Sequence, residues 1–202
     1  CYGFPYGTPR ERIERCKEFL LVLKNLWTSD SFSFNGKFYK LHNAVVKPKP
    51  LQTPHPPIAI AAQGRRLIEA IPGWGAGWQS SLDVIAGDGY EEKVKWINDA
   101  CHRSGVRPKS VKRCLRLQLL IGETERDLEE KILRSYQKAP FKAYREMPLE
   151  KYRERTLAGT PDTIRRVIES YIDFGVSDFI ITFMEPEFIE NDFHSIELFG
   201  KE

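Results

Sequence analysis

The chain has 202 residues, of which 41% are hydrophobic and 29% are charged, values typical of a globular domain with a substantial core. A net charge of +3 is too small to indicate a nucleic-acid or membrane-surface partner, and no apolar run approaches the ~20 residues of a membrane-spanning helix. The four cysteines and four histidines lack the spacing of metal ligands, which predicts reduced thiols, a cytoplasmic protein and no metal site.

The chain opens in a turn-rich stretch, CYGFPYGTP, which we expect to be the middle of a fold whose earlier part lies elsewhere. Thr8, Pro9 and Glu11 match a capping box with a proline in the first turn, which predicts a helix over Pro9–Trp27. Its apolar side chains recur at helical spacing and predict one buried face, made of Ile13, Cys16, Leu20, Leu23 and Trp27.

A β-hairpin and a proline-rich connection follow the helix. Two short runs, Ser31–Phe34 and Lys37–Leu41, flank Asn35-Gly36, a pair that predicts a type I′ turn with positive φ angles. The segment Val45–Pro57 is rich in proline and is expected to be extended and stiff.

The next stretch has the pattern of a strand, a glycine turn and a helix start. Ile58–Ala62 is wholly apolar, which is typical of a parallel strand buried on both faces. Gly64 allows a sharp turn, and a helix start predicted over Leu67–Ile71 presents free N–H groups and its dipole, to which Arg65 or Arg66 can add full charge. This turn is a candidate anion site, and the alternative is an ordinary strand-to-helix turn with two solvated arginines.

Strands and helices alternate in the rest of the chain. The predicted elements are a strand within Trp74–Ser81, a helix over Glu91–Arg103 ended by Gly105, a strand over Val111–Ile121, a helix from Thr124 to Lys138, a helix from Thr160 to Gly175, a buried strand over Asp178–Phe183 and a last helix around Phe193–Phe199. Residues 139–158 are expected to be irregular or weakly helical.

This alternation predicts an α/β fold with a parallel sheet and covering helices. Four strand–helix units cannot close a barrel, but they make half of an eight-stranded one. An open, doubly wound sheet is the alternative, although no GxGxxG fingerprint supports dinucleotide binding.

Several short motifs share their order and spacing with one enzyme family from about residue 2 to residue 184. They are Arg12-Ile13-Glu14 leading to Leu26-Trp27, Phe34-Asn35-Gly36-Lys37-Phe38-Tyr39, Pro48-Lys49-Pro50-Leu51-Gln52, Pro56-Pro57-Ile58, Gly64-Arg65-Arg66-Leu67, Gly77-Trp78 and Gly159-Thr160-Pro161 leading to Phe174-Gly175-Val176. Together they resemble the bacterial luciferase-like flavin and deazaflavin oxidoreductases. Ala76-Gly77-Trp78 departs from the Asp-Gly-Trp that is common in the family.

The resemblance implies a TIM (β/α)8 barrel of which this chain holds about the C-terminal half, strands five to eight. Those strands would be Ile58–Ala62, Gly75–Gln79, Val111–Ile121 and Asp178–Phe183. The implied single domain comprises a helix after the fourth strand (1–28), a hairpin and proline-rich insertion (29–57), strands five to eight with their helices (58–184) and a C-terminal tail (185–202).

The resemblance also implies a cofactor, either FMN or coenzyme F-420, held by its phosphate at the end of the fifth strand. That position corresponds to Ala62, Gln63, Gly64 and Arg65, the turn already identified from its residues. Trp78 and Gln79 would face the mouth of the active site, with Phe183 and Met184 lining the pocket and Tyr2 near the phosphate. No catalytic residue is assigned, because the strands expected to carry the proton chemistry would precede this chain.

The implied activity is F-420-dependent hydride transfer or FMN-dependent monooxygenation of a small organic substrate, with a homodimer as one expected assembly. Two alternatives stay open. One is a non-catalytic half-barrel that needs a partner chain, and the other is a simple phosphate-binding module.

Overall fold

The computed structural model describes residues 6–81, 89–139, 142–184 and 194–200. The chain forms two compact units, residues 1–58 and 59–202. Within the described ranges, no helix combines the length and the apolar character that crossing a bilayer requires.

The first unit contains one long helix and a hairpin. Helix α1 spans Pro9–Thr28, strand β1 spans Phe32–Asn35 and strand β2 spans Lys40–Ala44. The predicted capping box is confirmed, because the Thr8 side chain accepts from the Glu11 N–H while the Glu11 carboxylate accepts from the Thr8 N–H. On the predicted apolar face Leu20 is buried, and Ile13, Cys16, Leu23 and Trp27 are half-buried.

The hairpin is confirmed, but its predicted type I′ turn is wrong. Asn35 pairs with Lys40, so the loop has four residues, and neither Asn35 nor Gly36 has a positive φ. The cause lies on α1, where the Glu18 carboxylate accepts backbone N–H groups from Lys37, Phe38 and Tyr39 at 2.7, 2.8 and 3.1 Å. A Cβ at Gly36 would lie 2.6 Å from a Glu18 oxygen, so glycine permits this close approach.

The second unit alternates strands and helices as predicted. In chain order it contains β3 Ala59–Ala61, α2 Arg65–Ala70, β4 Gly77–Ser81, α3 Tyr90–Arg103, β5 Arg113–Ile121, α4 Glu125–Gln137, α5 Lys142–Arg145, α6 Leu149–Glu154, β6 Leu157–Gly159, α7 Pro161–Asp173, β7 Asp178–Phe183 and α8 His194–Gly200. The strands form one parallel sheet in the order β3-β4-β5-β6, and β7 also pairs with β5. The predicted parallel sheet is therefore confirmed.

Pleating gives this sheet one covered face and one open face. The covered face carries the core side chains Ile60, Trp78, Ser80, Leu115, Leu117 and Leu119, all of them buried. The opposite face carries Ala61, Gln79, Ser81, Arg116, Gln118 and Thr182, which are partly buried or exposed. We call this second set the open face.

The open face explains two corrections. The strand predicted to be buried on both sides, β3, exposes Ala59 and Ala61 and buries only Ile60. The strand predicted to be buried near the C-terminus, β7, likewise exposes Asp178 and Ile180. In both cases alternate side chains point to the side of the sheet that helices do not cover.

Three further predictions need correction or lie outside the described residues. Strand β4 starts at Gly77, later than predicted, because Gly75 adopts a positive φ of 61° after a short 3-10 turn. The region 139–158, expected to be irregular or weakly helical, contains two short helices, but it also leads into β6, a strand that the sequence does not predict. The last predicted helix is confirmed as α8, although Phe193 lies outside the described residues.

Arg113 ties the start of β5 to two helices. Its side chain is buried, its Nη1 donates to the Phe174 carbonyl at 2.9 Å, and its Nη2 donates to Asn98 Oδ1. The neighbouring Gly175 has a φ of +87°, and an added Cβ there would lie 2.8 Å from Nη1. Glycine at this position therefore permits the positive φ at the end of the helix and leaves room for the buried arginine.

Candidate functional site

The candidate site is the turn from Ala62 to Arg65, which joins β3 to α2. The Ala62 N–H donates to the Gln79 carbonyl at 3.2 Å, so Ala62 extends the pairing of β3 with β4. Gly64 is the N-cap of α2, and its carbonyl accepts from the Leu67 and Ile68 N–H groups at 3.0 and 3.1 Å. The Arg65 and Arg66 N–H groups lie before the first of these hydrogen bonds, and N–H groups at such a helix start can bind an anion.

Space and chemistry at this turn fit a phosphate group. A Cβ added at Gly64 would meet no heavy atom within 4 Å, so the backbone is open to a ligand. Gly64 has no side chain that caps α2. The neighbouring Gln63 has a buried Oε1 without a hydrogen-bond donor in the described part of the chain. Such an acceptor is available to a ligand hydroxyl or N–H group.

Trp78 lies in the core beneath the turn. Its side chain is 0% exposed, and its Nε1–H donates to the Ala62 carbonyl at 2.9 Å. The indole also stacks on Tyr90, with the ring centroids 5.4 Å apart. In this structure Trp78 positions the end of β3, and its predicted contact with a cofactor at the mouth stays a prediction.

Arg65 is held on the outer side of α2. Its Nε donates to Glu69 Oε1 at 2.9 Å, one turn along the helix, and its guanidinium lies 5.8 Å from the centroid of the Trp96 ring. The hydrogen bond from Arg65 is the largest cause that lowers the pKa of Glu69, which also pairs with Arg103 at 3.4 Å. A phosphate contact by Arg65 would have to use its Nη groups, because its Nε is bonded to Glu69.

The other predicted site residues lie on neighbouring strands. Gln79 is half-buried on the open face of β4, next to Ala61 and Cys114. Phe183 packs edge-on against Phe199 with centroids 6.0 Å apart. Met184 packs against the cluster of Leu120, Leu128 and Ile132. Tyr2 lies outside the described residues.

Arg116 was not predicted as a site residue, although the sequence contains a signal for it. Leu115 and Leu117 flank it on β5, so strict alternation places a charge on the opposite face of an otherwise apolar strand. The structure exposes Arg116 on the open face and pairs it in register with Ser81, the last residue of β4. Among the described residues, no group of histidine, cysteine or acidic side chains could hold a metal ion.

The chain matches a known enzyme family over most of its length. Residues 3–178 match the model of the luciferase-like monooxygenase family. The chain is 50% identical over 63 residues to an FMNH(2)-dependent dimethylsulfone monooxygenase of Pseudomonas putida, covering 31% of this chain and 17% of that protein. It is 37% identical over 62 residues to an F-420-dependent glucose-6-phosphate dehydrogenase of Kineococcus radiotolerans, covering 31% of this chain and 18% of that protein.

A solved structure shares the fold. An F-420-dependent secondary alcohol dehydrogenase in complex with an F-420–acetone adduct superposes with a TM-score of 0.74 at 14% identity, covering 99% of this chain. The chain spans less than two thirds of these relatives, 63% of that structure and a smaller share of the two proteins compared by sequence. The parallel α/β fold is thus similar to that of luciferase-like TIM-barrel enzymes, whose members here use FMN or F-420. The chain belongs to the luciferase-like monooxygenase family.

Proposed function

We propose that this chain is part of a luciferase-like oxidoreductase that binds FMN or coenzyme F-420 by its phosphate at the turn Ala62–Arg65. The single observation that supports this most is the open approach to Gly64, at the end of a parallel strand and the start of a helix. Family membership supports the same site, because relatives depend on these two cofactors.

Each residue at this site has a defined task in the proposal. The N–H groups of Gln63, Gly64 and Arg65 would hold the phosphate, and the Gln63 side chain would accept a hydrogen bond from the bound cofactor. Trp78 fixes the Ala62 carbonyl behind the turn, and Gln79 lies beside it on the open face. When bound, the cofactor supplies hydride transfer or oxygen activation, and the protein supplies position and shelter from water.

We further propose that β3, β4, β5 and β7 are the last four strands of an eight-stranded barrel. The open face supports this, because it carries half-buried side chains on the side that a closed barrel would line. The length comparison supports it too, since a third of the related structure has no counterpart here. A small organic substrate, a homodimer and a cytoplasmic location remain predictions.

Fluorescence titration with FMN and separately with coenzyme F-420 tests the cofactor site. The informative variant is Gly64→Asp, because aspartate is a good N-cap but places a carboxylate where the phosphate would bind. We expect the wild-type chain to bind one of the two cofactors and Gly64→Asp to weaken that binding at least tenfold, while the free energy of unfolding in urea is unchanged or higher.

Gly64→Asn is the matched control, because it has the same size and capping ability without the charge. Riboflavin, which lacks the phosphate, should bind all three proteins alike. Equal affinity of Gly64→Asp and Gly64→Asn for the phosphorylated cofactor would place the phosphate elsewhere. If the wild-type chain binds neither cofactor, the proposed function of this chain fails.

A further inference from the structure

The open face carries a positive charge that no described residue neutralises. Arg116 is exposed, and its guanidinium has no hydrogen-bond or ion-pair partner in the part of the chain that the structure describes. The other charged pair at this end of β5 is already matched, because Asp178 accepts from Ser177 Oγ at 2.7 Å and lies 4.0 Å from Lys112 Nζ. Among the described residues, Arg116 is therefore an exposed cation of the open face without a partner.

The register of the sheet places Arg116 near the cofactor turn. Arg116 pairs with Ser81, whereas Ala61 at the end of β3 is in register with Gln79 and Cys114. Arg116 thus lies two residues, about 7 Å, further along the strand direction than Ala61. This is the level at which the chain leaves β3 and turns into α2. The sideways distance from β3 to β5 is two strand spacings, about 10 Å.

The neighbours of Arg116 on this face are uncharged. Ser81 lies beside it on β4, Ile180 lies beside it on β7, and Gln118 follows two residues later on β5. Gln118 has a buried Oε1 that no donor reaches among the described residues, while its Nε2 donates to the Tyr144 hydroxyl at 3.3 Å. A cation among uncharged groups attracts an oxyanion, and guanidinium binds oxyanions in a bidentate manner.

We propose that Arg116, rather than Arg65, is the cationic residue of the ligand site, and that it binds an oxyanion on a small molecule. This inference rests on the proposed function, because it takes the open face as the face that lines the ligand site. The oxyanion is either the phosphate of the cofactor or an acidic group of a second small molecule. Arg65 is less suited to the role, because its Nε is bonded to Glu69 on the outer side of α2.

Two charge-neutralising variants separate the two arginines. Arg116→Gln and Arg65→Gln change the net charge equally, and both residues are exposed, so neither variant should alter the urea midpoint greatly. Titration with FMN and riboflavin, or with F-420 and a phosphate-free deazaflavin, reports on the cofactor phosphate. Line broadening of inorganic phosphate in phosphorus NMR spectra reports on a free oxyanion.

One supporting result is that Arg116→Gln binds the phosphorylated cofactor at least tenfold more weakly and its phosphate-free form as before, while Arg65→Gln binds both as the wild-type chain does. That result would assign the cofactor phosphate to Arg116. If Arg116→Gln binds the cofactor as the wild-type chain does but no longer binds inorganic phosphate, the oxyanion bound by Arg116 belongs to a second small molecule. The inference is overturned if Arg116→Gln changes neither measurement, if Arg65→Gln causes an equal loss, or if the wild-type chain binds no oxyanion.

The failure of this inference and the failure of the proposed function are distinguishable. If the wild-type chain binds phosphate through Arg116 but binds neither flavin nor F-420, the proposed function fails and the arginine site stands. If Gly64→Asp abolishes cofactor binding while Arg116→Gln has no effect, the cofactor site stands and the arginine site fails.

Discussion

Trp78 controls the shape of the candidate site through one hydrogen bond. The indole is completely buried, so its Nε1–H and the Ala62 carbonyl satisfy each other out of reach of water. The carbonyl belongs to the residue before Gln63, at the point where the strand gives way to the turn. A change in this bond therefore alters both the stability of the sheet and the direction of the turn.

We predict that Trp78→Phe lowers the free energy of unfolding by roughly 2–3 kcal/mol, because the Ala62 carbonyl loses its buried donor and the core loses volume. Urea denaturation measures this change. Trp96→Phe is the control, since Trp96 is half-buried on the outer side of α3 and should cost less than about 1 kcal/mol. Equal losses in the two variants would mean that the buried hydrogen bond contributes nothing of its own.

The hairpin and α1 show how one carboxylate can determine the conformation of a loop. Burial raises the pKa of Glu18, but the hydrogen bonds from Phe38, Lys37 and Tyr39 together outweigh it, so the pKa of this carboxyl lies below its ordinary value of 4.5. A lowered pKa in the folded state means that the ionised form stabilises the hairpin loop. This contribution is complete above about pH 4.5 and is lost as the pH falls through the lowered pKa.

We therefore predict that Glu18→Gln reduces the hydrogen-exchange protection of the loop amides at residues 37–39 several-fold at neutral pH. The same variant should remove the acid sensitivity of that loop, since its side chain no longer titrates. Glu14→Gln is the control, because Glu14 contacts only the side chains of Arg10 and Lys37 in this region. Loop protection that survives in Glu18→Gln would show that the turn residues themselves hold the loop.

The elements that were predictable are those whose signals are local. The capping box at Thr8, the N-cap at Thr124 and the glycine after α7 each depend on residues within one turn of a helix end. The predicted type I′ turn is wrong because the side chain of Glu18, 19 residues before Lys37, overrides the preference of Asn-Gly. Strand β6 was missed because three residues carry too little pattern to stand out.

The same distinction holds for the candidate site. The turn at Gly64 was found because its glycine, its two arginines and the preceding apolar run are adjacent in the sequence. The orientations of Arg65 and Arg116 could not be predicted from residues adjacent in the sequence. Arg65 turns outward because Glu69 follows one helical turn later and accepts from its Nε, while the placement of Arg116 depends on pairing between distant strands.

The molecule as a whole presents an asymmetric sheet. Strand β5 pairs with β4, β6 and β7, whereas β3 stands at one end of the order and pairs only with β4 among the described strands. An unpaired strand edge exposes N–H and C=O groups that can pair with another strand. The stability of the sheet is therefore expected to fall from β5 outward to β3.

Hydrogen exchange of the 202-residue chain measures this gradient directly. We predict that the amides of β3 exchange roughly a hundredfold faster than those at the centre of β5, because β3 opens by losing one neighbour and little apolar surface. If the chain is half of a barrel, adding the strands that complete the fold should slow exchange in β3 and leave the centre of β5 unchanged. Protection of β3 equal to that of β5 in the isolated chain would mean that another strand already covers its edge. A sedimentation experiment on the same sample would then show whether that strand comes from a second copy.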